Sequence, residues 1–494
     1  SGTVGIENIF ITPETQSTFS QGTNGAFESR SATSWGEKIN GQTVTGWDGK
    51  QTTLSAHENI NNFFKTGVNT THNIAFQQAL SENTNIYTSA TYLHDDSKTP
   101  GVKLDRLNLM SKVTSNFGPN KKWTTDVKVQ YMNTAAKNRP VGGANAGNYY
   151  STALLMPTTL NMLDFKPGMD QTGVNQLWYN PDNTVNPFWA SANKLSADTR
   201  DRFLLNATVK YQFNDWLNAD FRAGSDLYST KYDNRTYTGS SLPNSYGTQN
   251  DNFYENNYIA SLNARKDNIV GKWNGSASIF GQIMKQNFKS LSAGAGELEV
   301  PNLFTIKNAV GNPSIDEEIR RKQINSIFAT AEINYDNFWF INITGRNDWS
   351  STLSKENRSF FYPSVSTSLV ITDMINKTGG TSPSWLNFAK ARASYAETGN
   401  SLDAYQLYNV YAIGKDPNNN TTASKNKVLY NSDIKNELLK SFEVGFDLRL
   451  FDRFNVDFSY YKTNATNQLL DIPMNSLSGY QAYKANAGNI QNKG

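Results

Sequence analysis

Hydrophobic and polar residues alternate along much of this chain. In residues 202–213 (RFLLNATVKYQF), the odd positions from Phe203 to Phe213 are almost all apolar, and the even positions are mostly polar. A period of two is the signature of a strand with one buried face. The cleanest pair of such segments is 438–450 and 453–463. In the second, the predicted membrane-facing residues are Phe454, Val456, Phe458 and Tyr460, alternating with Asn455, Asp457 and Ser459.

Segments of this kind recur about fourteen times. They are 72–79, 84–93, 104–117, 122–134, 200–213, 216–230, 252–266, 272–288, 321–335, 338–347, 361–371, 385–397, 438–450 and 453–463. Most are about 10 residues or longer, which is the length that a tilted strand needs to cross a bilayer. The pattern therefore predicts an all-β protein, a transmembrane antiparallel β-barrel.

The connections between these segments alternate in length. The short ones are 118–121, 214–215, 267–271, 336–337 and 451–452, and they consist of turn-forming residues. The long ones are 135–199, 231–251, 289–320, 348–360 and 398–436. Only 372–384 departs from the alternation, because it is long at a place where a short connection is expected. Outer-membrane barrels have short periplasmic turns and long extracellular loops. We therefore expect all five short connections at the periplasmic end.

Composition agrees with a barrel and disfavours other classes. The chain has 494 residues, no Cys, a net charge of +3, 37% hydrophobic residues and 12% aromatic residues. A disordered chain would be poor in aromatics, and so small a net charge gives no reason to expect a nucleic-acid partner. No run approaches about 18 apolar residues, as a transmembrane helix requires, but a barrel strand needs only one apolar face. One helix is predicted, within 148–163.

Several segments resemble the SusC/RagA-like TonB-dependent outer-membrane transporters of Bacteroidetes. The clearest are 344–353 (TGRNDWSSTL) and 360–366 (FFYPSVS), which are similar to that family's R-x-D-x-S-S strand end and its Y-P-S-V-S strand. Three further matches are 391–400 (ARASYAETGN), 440–445 (KSFEVG) and 486–494 (NAGNIQNKG). The resemblance covers nearly the whole chain and is strongest over 338–494.

The resemblance implies a fold, a location and partners. It implies a 22-stranded barrel in the bacterial outer membrane, of which residues 1–494 would be a partial barrel domain. The signal peptide, the TonB box, the plug and the last strands are then expected outside this sequence. The implied partners are a SusD-like surface lipoprotein that acts as a lid, the TonB complex and outer-membrane lipids. A dimer of transporter–lipoprotein pairs is also implied.

Nothing in the sequence predicts catalysis or a cofactor. The three histidines, His57, His72 and His94, lie in different segments and have no partner at metal-ligand spacing. Carboxylates on the polar faces of strands could suggest acid–base pairs, but the simpler interpretation is that they line a polar lumen. Acidic and amide clusters that could bind Ca²⁺ lack the regular spacing of a calcium loop. We therefore expect no enzyme, no metal site and no cofactor.

Ligand or lid contacts are predicted in two long loops. The aromatic residues concerned are Trp178, Tyr179, Phe188 and Trp189 in 135–199, and Tyr405, Tyr408 and Tyr411 in 398–436. Flat rings among amide side chains suit sugar rings or extended peptides. The alternative is that these rings pack the loops onto one another or onto a partner protein. Arg346 and Asp348, at a strand end, are predicted to form a structural pair at the rim.

The leading functional hypothesis is TonB-dependent import of a large nutrient, an oligosaccharide or oligopeptide, with a lipoprotein lid. One alternative is a passive porin. The other is a barrel that serves as a scaffold or accessory in a surface-export machine.

Overall fold

The computed structural model describes residues 2–7, 14–143 and 148–494. Its strands are β1 (Gly2–Glu7), β2 (Gly22–Thr23), β3 (Ala26–Phe27), β4 (Thr43–Thr45), β5 (Gln51–Thr53), β6 (Gly67–Ser81), β7 (Thr84–Asp96), β8 (Lys103–Phe117), β9 (Trp123–Lys137), β10 (Lys194–Asn214), β11 (Leu217–Thr236), β12 (Ser245–Val270), β13 (Trp273–Glu297), β14 (Ser314–Tyr335), β15 (Trp339–Ser350), β16 (Ser359–Val370), β17 (Leu386–Asn400), β18 (Tyr411–Lys415), β19 (Thr421–Lys425), β20 (Val428–Leu429), β21 (Glu437–Leu450), β22 (Phe454–Pro473) and β23 (Ala482–Lys493). The α-helices are α1 (Asn59–Phe63), α2 (Tyr149–Leu155), α3 (Pro187–Asn193) and α4 (Ile371–Lys377). Single 3₁₀ turns span Pro119–Lys121, Met162–Phe165, Ile306–Asn308 and Ser476–Ser478.

One sheet of 17 strands dominates the structure. The strands β6 to β17 follow one another in sequence order, each antiparallel to its neighbours, and the ladder continues through β21, β22 and β23. The first strand, β1, pairs with β6, and the short β20 adds to β23. In the part of the chain that the structure describes, this sheet is a large part of a barrel wall. The prediction of an all-β antiparallel barrel is therefore confirmed.

Each of the fourteen predicted segments falls within one strand of this sheet, with at most one terminal residue of a segment outside the strand. A fifteenth long strand, β23, was not predicted as one. Its sequence, AYKANAGNIQNK, is dominated by small and amide side chains, so that the alternation of large apolar residues is lost. Backbone pairing with β22 supplies the register that the side chains do not show.

One face of the sheet carries a continuous apolar band. Cross-strand partners preserve it from strand to strand: Val113 faces Val127, Val127 faces Ala207, and further along Leu448 faces Val456. Aromatic rings near the strand ends border the band. At one border the ring centres of Trp123 and Tyr211 are 4.6 Å apart, and at the other those of Tyr131 and Phe203 are 5.0 Å apart. Rings at both edges of an apolar band are typical of membrane interfaces. We call this side of the sheet the apolar face.

The opposite side, the polar face, is crossed by ion pairs. The guanidinium of Arg392 lies 2.6 Å from Asp447 and 3.0 Å from Asp457, and Arg202 holds Asp226 through two hydrogen bonds of 2.7 and 2.5 Å. Asp457 thus lies on the side opposite Phe454, Val456, Phe458 and Tyr460, as the alternation predicts. A charged residue facing lipid is costly, so this face is suited to a polar lumen.

Antiparallel pairing places alternate connections at opposite ends of the sheet. The five short connections predicted from sequence, together with 82–83, all lie at one end, which we call the turn end. The connection 371–385, which is also at the turn end, is lengthened by helix α4. The connections 97–102, 138–193, 237–244, 298–313, 351–358, 401–436 and 474–481 lie at the other end, the loop end.

The predicted bounds of two long loops, 231–251 and 289–320, are wrong. Strand continues through 231–236 and 245–251 of the first and through 289–297 and 314–320 of the second, so that β12 has 26 residues and β13 has 25. Only 237–244 and 298–313 remain as connections. The reason is physical: beyond the apolar band both faces of a strand meet polar surroundings, so the alternation stops while the backbone ladder continues.

The predicted single helix within 148–163 is also only partly correct. Helix α2 ends at Leu155 because Met156 adopts an extended conformation before Pro157. A 3₁₀ turn follows at Met162–Phe165. Helices α1, α3 and α4 were not predicted, because each has only five to seven residues and too few turns to show a helical period.

Candidate functional site at the loop end

A hydrophobic core lies outside the barrel wall, among the connections of the loop end. Its buried members come mainly from the described part of 138–193, residues 138–143 and 148–193, with contributions from α1 and the 97–102 connection. They are Phe63, Val102, Tyr149, Ala153, Met156, Leu160, Met162, Phe165, Trp178, Tyr179, Val185, Trp189 and Ala190. We call this group the loop core. Loops usually run over the surface as separate segments, so a shared core indicates one rigid cap at this end.

Asn186 organises the centre of the loop core. It is fully buried, and its side chain accepts a hydrogen bond from the backbone N–H of Phe188, which caps helix α3. Its amide donates to the carbonyls of Phe165 and Leu177 at 2.8 and 2.9 Å. Gln176 supports it by accepting from the backbone N–H of Asn186 at 2.8 Å. Asn followed by Pro187 is a helix-start signal that sequence reasoning missed.

The loop core is tied to the barrel by backbone and amide contacts. Asn138, at the end of β9, donates to the carbonyl of Ser191 at 2.8 Å and accepts from the N–H of Ser196 at 3.0 Å. The N–H of Gln176 donates to the carbonyl of Gly239 in the β11–β12 connection. The cap therefore spans several strand ends and does not depend on one hairpin.

Burial dominates the electrostatics of the loop core. It raises the pKa of Tyr149 to about 12 and also that of Tyr179 to about 12. Burial also raises the pKa of Asp164, against the opposing charge of His57. The indole N–H of Trp189, which is fully buried, has no hydrogen-bond partner. Apolar packing therefore dominates this part of the site.

The structure separates the two groups of loop aromatics predicted to contact ligand or lid. Trp178, Tyr179 and Trp189 are 4%, 3% and 0% exposed within the loop core, and Phe188 packs against it. Tyr405, Tyr408 and Tyr411 are 62%, 64% and 70% exposed. Burial of the first group supports the alternative interpretation, in which those rings pack the loops. Contact of either group with ligand or lid stays a prediction.

The exposed tyrosines are carried by an anchored loop. The base of 401–436 is held by a second small core of Leu353, Phe360, Tyr362, Leu402, Leu407 and Ile434. The hairpin β18–β19 follows this base; Ile413 on the hairpin is 80% exposed, and Val410, directly before the hairpin, is 59% exposed. Its turn is organised by Asp416, whose carboxylate accepts from the N–H groups of Asn418 and Asn420. A hydrogen bond from the side-chain amide of Asn420, together with those two backbone hydrogen bonds, lowers the pKa of Asp416.

Arg346 and Asp348 are brought together on the polar face near the loop end. The Nε of Arg346 lies 2.7 Å from Asp348, and its other nitrogens donate to Ser326 at 2.9 Å and to Gln282 at 3.3 Å. The guanidinium also lies 5.0 Å from the ring centre of Phe328. Each of the three guanidinium nitrogens has a partner in the wall, which supports the structural role predicted for the pair.

Across 2–7, 14–143 and 148–494, no group of three or more metal-ligating side chains converges. Within the same ranges, none of the helices has the length and apolar character needed to cross a membrane.

Together, the apolar band, the charged opposite face and the packed loops at one end define a membrane-spanning β-barrel of the outer-membrane type. The comparisons identify its family. The family model described as "TonB dependent receptor-like, beta-barrel" matches residues 143–494, and this chain belongs to that family. Members of the family are transporters of the outer membrane, not enzymes, as predicted from sequence.

Individual relatives agree with this assignment. TonB-dependent receptor P3 of Formosa agariphila is 24% identical over 87% of this chain and 43% of its own length. TonB-dependent receptor P26 of the same organism is 22% identical over 84% of this chain and 41% of its own length. The chain therefore spans less than half the length of these curated relatives.

Solved structures share the fold. The RagAB peptide transporter aligns with a TM-score of 0.75 at 17% identity, over 89% of this chain and 49% of the transporter chain. The ferric enterobactin receptor PfeA of Pseudomonas aeruginosa aligns with a TM-score of 0.55 at 11% identity, over 87% of this chain and 57% of the receptor chain. At these identities the two alignments show a shared fold.

Proposed function

We propose that the protein containing this chain imports a large nutrient, an oligosaccharide or oligopeptide, across the outer membrane with energy delivered by TonB. The observation that carries the proposal is the division of the wall into a lipid-compatible apolar band and a charged inner face, capped by packed loops at one end. In this proposal, residues 1–494 are a partial barrel domain, and a plug with a TonB box completes the transporter.

The second element of the proposal is a SusD-like lipoprotein that covers the loop end. The hairpin β18–β19 and the segment before it expose Tyr405, Tyr408, Val410, Tyr411 and Ile413. A two-stranded hairpin is marginally stable alone, and a cluster of exposed large apolar side chains marks an interaction surface. Tyrosine is also a common anchor of protein interfaces. We assign this surface to the lid.

The loop core has a different role in the proposal. Its buried rings hold a rigid floor beneath the lid, and ligand is captured between the two. Trp178, Tyr179, Phe188 and Trp189 would then shape the capture surface mainly by fixing the backbone of 165–190. A dimer of transporter–lipoprotein pairs remains part of the proposal as the family resemblance implies it.

Co-purification tests the lid. The complete transporter, tagged and extracted in mild detergent from its native host, should retain a surface lipoprotein. Replacing Tyr405, Tyr408 and Tyr411 together by Ala should reduce the amount retained at least severalfold. The matched control is Phe451→Ala, since Phe451 is an equally exposed aromatic residue (60%) at the turn end.

Two results would contradict this assignment. One is equal retention by the triple variant and the wild type, which would remove the tyrosines from the interface. The other is retention of secretion components in place of a lipoprotein, which would favour the export-scaffold alternative.

A further inference from the structure

Cationic side chains continue the apolar face of β13 and β14 beyond the apolar band. The last large apolar residue before them on β13 is Ile283, which lies on the apolar face according to the register pairs across β9 to β13. The next outward positions on this strand are Lys285, Asn287 and Lys289. On β14, Arg321 pairs with Asn287, so its side chain takes the same face. We call Lys285, Lys289 and Arg321 the cationic patch.

The depth of the cationic patch corresponds to the headgroup level at the loop end. Trp273 marks the turn-end border of the apolar band on β13, and Ile283 lies ten positions further along the strand. At about 3.3 Å per residue and a tilt of about 40°, this distance spans about 25 Å of membrane, the height of the apolar band in outer-membrane barrels. Tyr258 and Trp349 lie in the same register row as Ile283, as rings at a membrane interface do. Lys285 is therefore the first outward residue of β13 beyond the hydrocarbon.

Two of the three cations have no counter-charge in the wall. Lys289 lies 2.7 Å from Glu317, whereas Arg321 donates only to the amide oxygen of Asn287, at 3.3 Å. Among residues 2–7, 14–143 and 148–494, no carboxylate lies within ion-pair distance of Arg321 or Lys285. The strand spacing and an offset of two residues place their attachment points about 8 Å apart. Like charges this close repel each other, so a bound anion would stabilise the pair.

Amide side chains flank the two unpaired cations. Asn256 and Gln323 are the direct register partners of Lys285. Asn256 accepts a hydrogen bond from Ser225 at 2.6 Å, and Gln323 donates one to Asn325 at 3.0 Å. Within the described residues, the nitrogen of the Asn256 amide and the oxygen of the Gln323 amide have no partner. Such a donor and such an acceptor beside the cations are suited to the hydroxyl groups of a sugar that carries the anion.

The apolar face has a depression directly beneath the cationic patch, on the side of the turn end. Tyr258, Ile283, Ile327 and Trp349 line it, together with Gly281, which has no side chain to fill it. A Cβ built on Gly281 would meet no atom within 4 Å, so the depression is open toward the membrane. An acyl chain attached to a headgroup at the patch would lie in this depression.

The neighbouring sector of the wall has the opposite charge. On β10, Asp201 takes the same face as Phe203 and accepts hydrogen bonds from the Tyr131 hydroxyl at 2.6 Å and from the Asn133 amide at 2.8 Å. This carboxylate lies beside the aromatic border of the band on β9 and β10. An anionic headgroup would be repelled there, so the favourable position is confined to β12–β15.

We propose that the cationic patch and the depression beneath it form a binding site for a phosphorylated glycolipid of the outer leaflet. Lys285 and Arg321 bind the phosphate, the two amides contact the sugar that carries it, and the depression takes an acyl chain. Charged hydrogen bonds from Arg and Lys suit phosphate oxygens, and basic pockets at a membrane border hold anionic headgroups. The inference goes beyond the proposed import function and rests on the assignment of the loop end to the cell exterior.

Lipid binding by the complete transporter tests the inference. The protein is freed of lipid in detergent, and native mass spectrometry measures its occupancy by four probes. The probes are a glycolipid with one phosphate on its sugar, the same glycolipid without the phosphate, phosphatidylglycerol and inorganic phosphate. We expect the phosphorylated glycolipid to bind most tightly. Lys285→Gln/Arg321→Gln should weaken its binding about thirtyfold, since each cation near a membrane surface contributes about fivefold in affinity.

Two further variants separate the parts of the site. Arg320→Gln is the matched control for Arg321, because Arg320 is next in sequence, lies on the polar face and contacts Phe288; it should leave glycolipid binding unchanged. Gly281→Leu fills the depression without changing the charge, and it should weaken binding of the glycolipid. Correct folding of each variant is checked by its heat-modifiable migration in electrophoresis.

Several results would overturn the inference. The phosphorylated glycolipid could bind equally well to the wild type and to the double variant, or equally well with and without its phosphate. Binding of phosphatidylglycerol as tight as that of the glycolipid would reduce the patch to a general contact with anionic lipid. Displacement of the glycolipid by inorganic phosphate would assign the patch to the free ion, and unchanged binding by Gly281→Leu would contradict the acyl-chain contact. Uptake that is independent of energy would reject the proposed function alone and leave this site in place.

Discussion

Placing a charge in the middle of the apolar band should destabilise the barrel by an amount that depends on depth. On β9 the outward residues Trp123 and Tyr131 mark the two borders of the band, eight residues apart. At about 3.3 Å per residue they are separated by about 26 Å along the strand. With a tilt of about 40° this corresponds to about 20 Å of membrane. Val127 lies halfway between the borders and faces Val113 and Ala207.

Val127→Arg should therefore cost about 2–4 kcal/mol of folding free energy, the value for Arg near the bilayer midplane. Thr125→Arg, two residues nearer the turn end on the same face, should cost less. Gln130→Arg is the control on the polar face, where Gln130 makes one hydrogen bond, to Asn108; we expect a cost below about 1 kcal/mol. Reversible urea unfolding of the complete transporter in lipid vesicles measures all three. Equal costs for Val127→Arg and Gln130→Arg would refute the assignment of the faces.

Three further predictions concern the ends of the barrel and the loop core. A protease-cleavable tag inserted between Asn214 and Asp215 should be protected in intact cells, whereas one within 401–436 should be cut; the reverse pattern would invert the topology. Trp189→Ala should destabilise the loop core by about 3–5 kcal/mol, as expected for the loss of a large buried ring. Trp189→Phe should destabilise it by clearly less, because the indole N–H makes no hydrogen bond that the variant would lose. Hydrogen exchange over 165–190 measures both effects, and equal effects would contradict the packing argument. Burial raises the pKa of Tyr149 and Tyr179 to about 12 from an ordinary value near 10. Their contribution to loop-core stability should therefore be intact below about pH 10 and be lost between pH 10 and 12. The rate of proteolysis within 138–193, measured as a function of pH, should show this loss, and the Tyr149→Phe/Tyr179→Phe variant should shift the loss to higher pH.

The barrel strands could be predicted because the membrane imposes the alternation that reveals them. Segment 202–213 shows this, since its apolar side must meet lipid and its polar side must not. The same reason explains the missing parts of β12 and β13. Outside the membrane nothing requires one apolar face, so residues 245–251 (SYGTQND) read as a loop while they pair as a strand.

The candidate site was less accessible from sequence. Trp189 and Tyr411 both have apolar neighbours in the sequence and both lie in long connections, and only tertiary packing makes one fully buried and the other 70% exposed. The juxtaposition of Tyr228, Phe253 and Phe288 on three neighbouring strands depends on the strand register, since these residues are 25 and 35 positions apart in the sequence. Periodicity shows which face a residue takes, but not which residue lies beside it on the next strand.

Energy dependence of uptake tests the central claim most directly. In intact cells whose only route for the bound ligand is the complete transporter, uptake of labelled ligand is followed with and without a protonophore. Active, TonB-dependent import predicts that uptake against a gradient stops when the proton-motive force collapses, while ligand binding at the surface persists. Continued uptake that equilibrates down the gradient and is unaffected by the protonophore would contradict the account and identify a passive porin.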